Sequence, residues 1–146
     1  MKKLIGILFI AIAAIACTQK GDYKVVRDEV MKFHDVVMAD HNKIVNNQML
    51  LDTLIKDMKG LKAKFPGLDT LKEKAAMTAL SNKLSKAEDS MNNWMHQFEP
   101  DVTGKSNEAA IQYFETEKSK IAGIDSLYKI EIRLSGDYLS KFRTRK

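Results

Sequence analysis

Cysteine is all but missing from this chain, with Cys17 the sole example among 146 residues. A lone thiol excludes an internal disulfide and any CxxC redox or zinc pair. Proline is confined to Pro66 and Pro100, and only seven glycines punctuate the sequence. Gly21, Gly60, Gly67 and Gly104 stand isolated, so no glycine-rich phosphate loop exists. Few β-branched residues adjoin one another, whereas Lys, Ala, Leu, Met and Glu abound, which favours helix almost throughout. Strong charge of one sign is lacking too: 24 Lys and Arg face 19 Asp and Glu. So mild a basic balance gives little reason to expect nucleic-acid binding. Apart from Leu4–Ala16 there is no long apolar run. At about 13 residues that run falls short of the ~20 needed to span a bilayer.

What is present begins with that segment. Met1-Lys2-Lys3 supplies a positive start, Leu4 to Ala16 an apolar core, and Ala14-Ile15-Ala16 a small-residue close before Cys17. The pattern predicts a signal peptide over 1–16. Its ending resembles the lipobox of bacterial lipoproteins, with Ala14 where Leu is usual. That resemblance implies cleavage before Cys17, acylation of its sulfur and its new amino group, and attachment to a membrane of the cell envelope, periplasmic or surface-facing. Thr18 to Gly21 then form a short tether. The remainder, about 130 residues, suits one domain over 22–146. Losing Lys2 and Lys3 lowers the formal charge of +5 by two. Without a disulfide, the domain must rest on burial alone.

Asp22 is a suitable cap for a first helix running to about Lys64. Val30, Val37, Ile44, Leu51 and Met58 repeat every seven residues, with Val26, Phe33, Leu54 and Leu61 as a second seam that turns polar at Asp40 and Asn47. Phe65-Pro66-Gly67-Leu68 breaks it. Asp69, or Thr70 with Glu73 as a capping box, opens a second helix over 69–99. Its line is Met77, Leu84, Met91 and Phe98, joined by Leu80, Ala87 and Trp94, and Pro100 ends it. Ser106 begins a third helix over 106–144 with a broader stripe of Ala110, Phe114, Ile121, Ile124, Tyr128, Leu134, Tyr138 and Phe142. Short connections imply antiparallel neighbours, hence an all-α, up-down-up antiparallel three-helix bundle. At 1.5 Å per residue the first helix spans roughly 60 Å and the second roughly 45 Å, so the first turns of helix one should overhang.

One constellation invites a chemical reading. Met31, His34, Met38, His41, Val45 and Gln48 recur at steps of three and four and line one stripe. Folding about Pro66 sets His34, Met38 and His41 level with about residues 91–99, where Met91, Trp94 and Met95 lie. Imidazole and thioether together are the ligands soft Cu(I) prefers, so Met31, His34, Met38, His41, Met91 and Met95 form a candidate copper or small-ligand site. Against this, methionine is a flexible gap-filler, and such a stripe is more often core. His96 falls on the far side and is expected at the surface. There is no HxxxH pair.

Catalytic patterns are missing. No Ser has an evident His and acid partner, and the one Cys belongs to the anchor. The Glu-x-x-His pair of di-iron bundles is absent. Paired carboxylates such as Asp28-Glu29 read as solvated helix faces. The expectation is therefore a protein that is not an enzyme. The tail Lys141-Phe142-Arg143-Thr144-Arg145-Lys146 is the one basic cluster, and reads as a solvated helix end.

His34-Asp35-x-Val37-Met38 and Met91-Asn92-Asn93-Trp94-Met95-His96-Gln97-Phe98 resemble segments of small, uncharacterised Bacteroidetes-type helical lipoproteins, often loosely labelled viral A-type inclusion protein. The resemblance implies an envelope-anchored helical lipoprotein and carries over no catalytic residue. The function expected is a noncatalytic bundle with a structural or partner-binding role. Its partners would be the membrane through lipid on Cys17 and an envelope protein or a second copy.

Overall fold

In the computed structural model residues 21–143 are described. The expected signal peptide over 1–16, the expected lipid site at Cys17 and the tail end Thr144-Arg145-Lys146 lie outside them. The described residues are all-α, without strands: α1 is Tyr23–Lys56, α2 Met58–Lys64, α3 Thr70–Gln97 and α4 Asn107–Ser140.

Side-chain capping sets the helix starts. Asp22 accepts a hydrogen bond from Lys24 N–H at 2.9 Å, and Ser106 from Ala109 N–H at 3.2 Å. Asp69 takes two, from Leu71 and Lys72 at 3.1 Å each, so it caps α3 directly. These bonds satisfy amides that the helix itself leaves without acceptors.

Four helices replace the three expected. The helix predicted over 22–64 is interrupted at Asp57, whose backbone leaves helical geometry at φ −110° and ψ 44°. Its N–H closes α1 on the Thr53 carbonyl, while its carboxylate accepts from Gly60 N–H at 3.0 Å and so caps α2. An aspartate side chain that competes for backbone amides in this way favours a helix start over a helix interior. Gly60 is what makes room, because a Cβ there would collide with the Asp57 carboxylate.

Packing follows the seven-residue seams. Val30, Val37, Ile44 and Leu51 of α1 are wholly buried, as are Met77, Leu84 and Ala87 of α3 and Phe114, Ile121 and Tyr128 of α4. Each large apolar side chain so enclosed is worth roughly 1.5–3 kcal/mol. Leu139, rather than Leu134, closes the core at the end of α4. The cross-helix contacts give the directions. Gln48 bonds Ser85 at 3.1 Å and His34 lies against Trp94, so α1 and α3 are antiparallel. Trp94 meets Glu117 and Tyr138 meets Glu73, so α3 and α4 are antiparallel. Lys118 reaches Glu29 and Asn47 reaches Ser135, so α4 runs parallel to α1.

The start of α1, expected to overhang, is covered. The Tyr23 ring stacks on Phe114 at 6.1 Å, and Tyr23 N–H donates to the Asn107 amide oxygen at 3.2 Å. The Asn107 NH2 in turn donates to the Gly21 carbonyl at 2.8 Å. The connection 98–106 continues past the end of α3, which lets α4 begin level with the first turn of α1. Val102 anchors that connection in the core.

Candidate functional site

The α1–α3 seam holds the residues singled out by spacing. Met31, His34, Met38 and His41 share one face of α1, and that face meets α3. The His34 ring lies 6.2 Å from the Trp94 ring, inside the register expected. His41 faces Glu88, with Nε2 3.8 Å from a carboxylate oxygen, about one turn short of the range 91–99. Met31, Met38 and Met95 are each 37–38% exposed, and His34 Nδ1 lies 3.0 Å from Asp35. His96 is exposed, as expected.

Met91 does not join that group. It is 1% exposed and belongs to the core with Val37 and Leu84. The set sharing the open seam is therefore Met31, His34, Met38 and Met95, with His41 one turn on and already facing a carboxylate. Among the described residues no three or more His, Cys, Asp or Glu side chains come together in a way that could hold a metal ion.

Behind the seam lies an aromatic wall at the same end of the bundle. Trp94 stacks on Phe98 at 4.7 Å, and Phe98 packs on Tyr113 and Phe114. Trp94 Nε1–H donates to Glu117 at 2.9 Å, and the other Glu117 oxygen accepts from Lys120 at 2.8 Å. Glu117 is buried yet fully engaged, which is the condition under which a buried carboxylate is tolerated.

Glu117 belongs to a polar series on α4 that the apolar stripe had concealed. Asp125, Glu131 and Ser135 are also buried. Ser135 is satisfied, donating to the Glu131 carbonyl at 2.6 Å and accepting from Asn47 at 2.8 Å. Asp125 uses one oxygen to hold Lys129 at 2.6 Å, while its other oxygen, the Tyr128 hydroxyl and Glu131 Oε2 are enclosed without a partner. Burial, with the Glu88 carboxylate nearby, pushes the Tyr128 hydroxyl up to about 12. His41, Glu88 and Tyr128 thus form a polar layer across all three long helices. Spacing alone carried a signal for this series: the seven-residue line through Ala110, Ile124 and Tyr138 passes through Glu117 and Glu131.

No protein-family model matches the chain, and neither a curated protein nor a solved structure is significantly similar to it.

Proposed function

We propose that this chain is a noncatalytic, envelope-anchored lipoprotein, held at a membrane by lipid on Cys17, whose helical bundle has a structural or partner-binding role. The observation that carries the reading is a sole cysteine placed at the end of a signal-type leader, in front of an all-α unit. Among the described residues no helix is long and apolar enough to cross a membrane, so attachment is assigned to the lipid. The resemblance to Bacteroidetes-type lipoproteins points the same way. In this reading α1 and α2 form one arm of an up-down-up three-helix bundle, and the short tether holds the start of α1 near the bilayer. The partner-binding role is assigned to the exposed Met31, Met38 and Met95, because flexible thioethers suit adaptable contact surfaces. That surface would take an envelope protein or a second copy.

Cys17→Ser tests the anchor. The variant should move to the soluble envelope fraction with its helical circular dichroism intact, since α1 is capped at Asp22. A variant that stays in the membrane fraction overturns the lipid anchor.

A second reading rests on one observation: exposed Met31 and Met38 lie one turn to either side of His34 on α1, and exposed Met95 follows Trp94, against which His34 lies. That ligand chemistry suits Cu(I). Titration against a Cu(I) chelator decides it, and the absence of competition at sub-micromolar affinity removes copper from consideration.

A further inference from the structure

At the end of the bundle far from Asp22, an open groove runs along the outer face of the α1–α4 pair beside Gly136. The two helices touch beneath it, where Asn47 donates to Ser135 at 2.8 Å and to the Ile132 carbonyl at 3.3 Å. A cavity of about 560 Å³ opens there, walled by Met49, Leu50 and Ile132, with Asn47 and Gly136 along it. A second cavity of about 130 Å³ adjoins it through Leu50 and Arg143, and adds Leu54, Leu139 and Phe142. The larger volume lies within the range of small-molecule sites. From Lys43 to Leu54 the groove follows α1 for roughly 16 Å at 1.5 Å per residue.

Charge decides what fits. Arg143 stands at the junction of the two cavities and pairs with no acidic side chain among the described residues. Lys43, at the other end, is already held by Asp40 at 2.7 Å. The groove therefore offers an apolar strip bordered by Asn46 and Asn47, and one guanidinium with no acidic partner among the described residues. Met49 and Leu50, 62% and 45% exposed, are the apolar groups left uncovered along it.

We infer that this groove binds a long-chain carboxylate of the fatty-acid class, its carboxylate on Arg143 and its acyl chain along Leu50 and Ile132 through the larger cavity. The binding is noncovalent and independent of the anchor assigned to Cys17. A guanidinium is the side chain best matched to a carboxylate, which it can engage through two parallel hydrogen bonds.

The test uses the full chain in a detergent-free cell extract, labelled with a diazirine-bearing palmitate probe and recovered by immunoprecipitation. Adducts should map to segments 46–54 and 132–143 and be competed by excess palmitate. Gly136→Leu should plug the groove and lower their yield at least tenfold. A Cβ at Gly136 meets only Asn47, at 3.9 Å, and leucine is the better helix former. Arg143→Glu, at an exposed position, should cut labelling by the carboxylate probe severalfold and leave labelling by the matching alcohol probe unchanged. Should Gly136→Leu lose its helical signal, the Arg143→Glu comparison decides alone. Equal labelling by acid and alcohol in the unaltered chain, or adducts confined to the peptide bearing Cys17, would overturn the inference. Neither result bears on the anchor, which Cys17→Ser tests separately.

Discussion

Replacing Glu131 with leucine is expected to stabilise the bundle, although it removes a charge from a chain rich in ion pairs. Glu131 is 7% exposed, and its Oε2 is enclosed with no hydrogen-bond donor in reach. A buried polar atom left unsatisfied costs about 1–3 kcal/mol, and an apolar side chain of similar volume is free of that cost. The site faces the α3–α4 seam, in line with Ile124 and Tyr138, so leucine would extend an apolar line already present. With an unfolding entropy of about 2.1 cal/mol/K per residue, each kcal/mol shifts the Tm of a domain this size by about 4 °C. A gain of 1–3 kcal/mol therefore corresponds to roughly 4–12 °C in a circular dichroism melt. Urea titration should move the midpoint upward at constant slope. Glu131→Gln keeps a polar group in place and should gain less than half as much. Glu131→Leu melting at or below the unaltered protein would refute the reasoning, and would mean that a water or cation satisfies the carboxylate in solution.

Three further outcomes are expected. Trp94→Phe leaves the buried Glu117 without its indole donor and should cost about 1.5–3 kcal/mol by urea unfolding, the opposite sign from Glu131→Leu. Tyr128 holds its proton to about 12 in the folded chain but to about 10 when unfolded, so unfolding releases that proton between these values. Stability should then be unaffected by this group below pH 10 and fall as pH rises from 10 to 12; Tyr128→Phe should flatten that decline in pH-dependent urea titrations. A slope remains from Tyr138, which burial and the Glu73 carboxylate push up as well. Asn107→Ala removes both hydrogen bonds from Asn107 to the start of α1 but leaves Tyr23 stacked on Phe114, and should speed hydrogen exchange at amides 23–27 while lowering the global Tm by no more than a few degrees.

Much of the fold was legible because heptad spacing reports burial directly. Val30, Val37, Ile44 and Leu51 were identified by period alone and are all wholly buried. The breaks at Pro66 and Pro100 and the caps at Asp22, Asp69 and Ser106 were equally visible, since each is a local steric or hydrogen-bonding preference. Asp57 was missed: an aspartate within a long apolar period looks solvated, and its role as a helix stop depends on Gly60 admitting its carboxylate. Of the candidate site, spacing placed the His34 face of α1 against α3 near Trp94, but it could not separate Met91, whose rotation about α3 turns it into the core.

By itself the sequence determined the helical class and the identity of the core seams, because these depend on composition and on neighbours a few residues apart. Tertiary structure decided which polar groups are buried and which of those find partners. Glu117 and Glu131 occupy equivalent positions two heptads apart on α4, yet one meets an indole N–H and a lysine while the other meets no donor. It also decided where a groove lies: the one beside Gly136 exists only because α1 and α4 run side by side there.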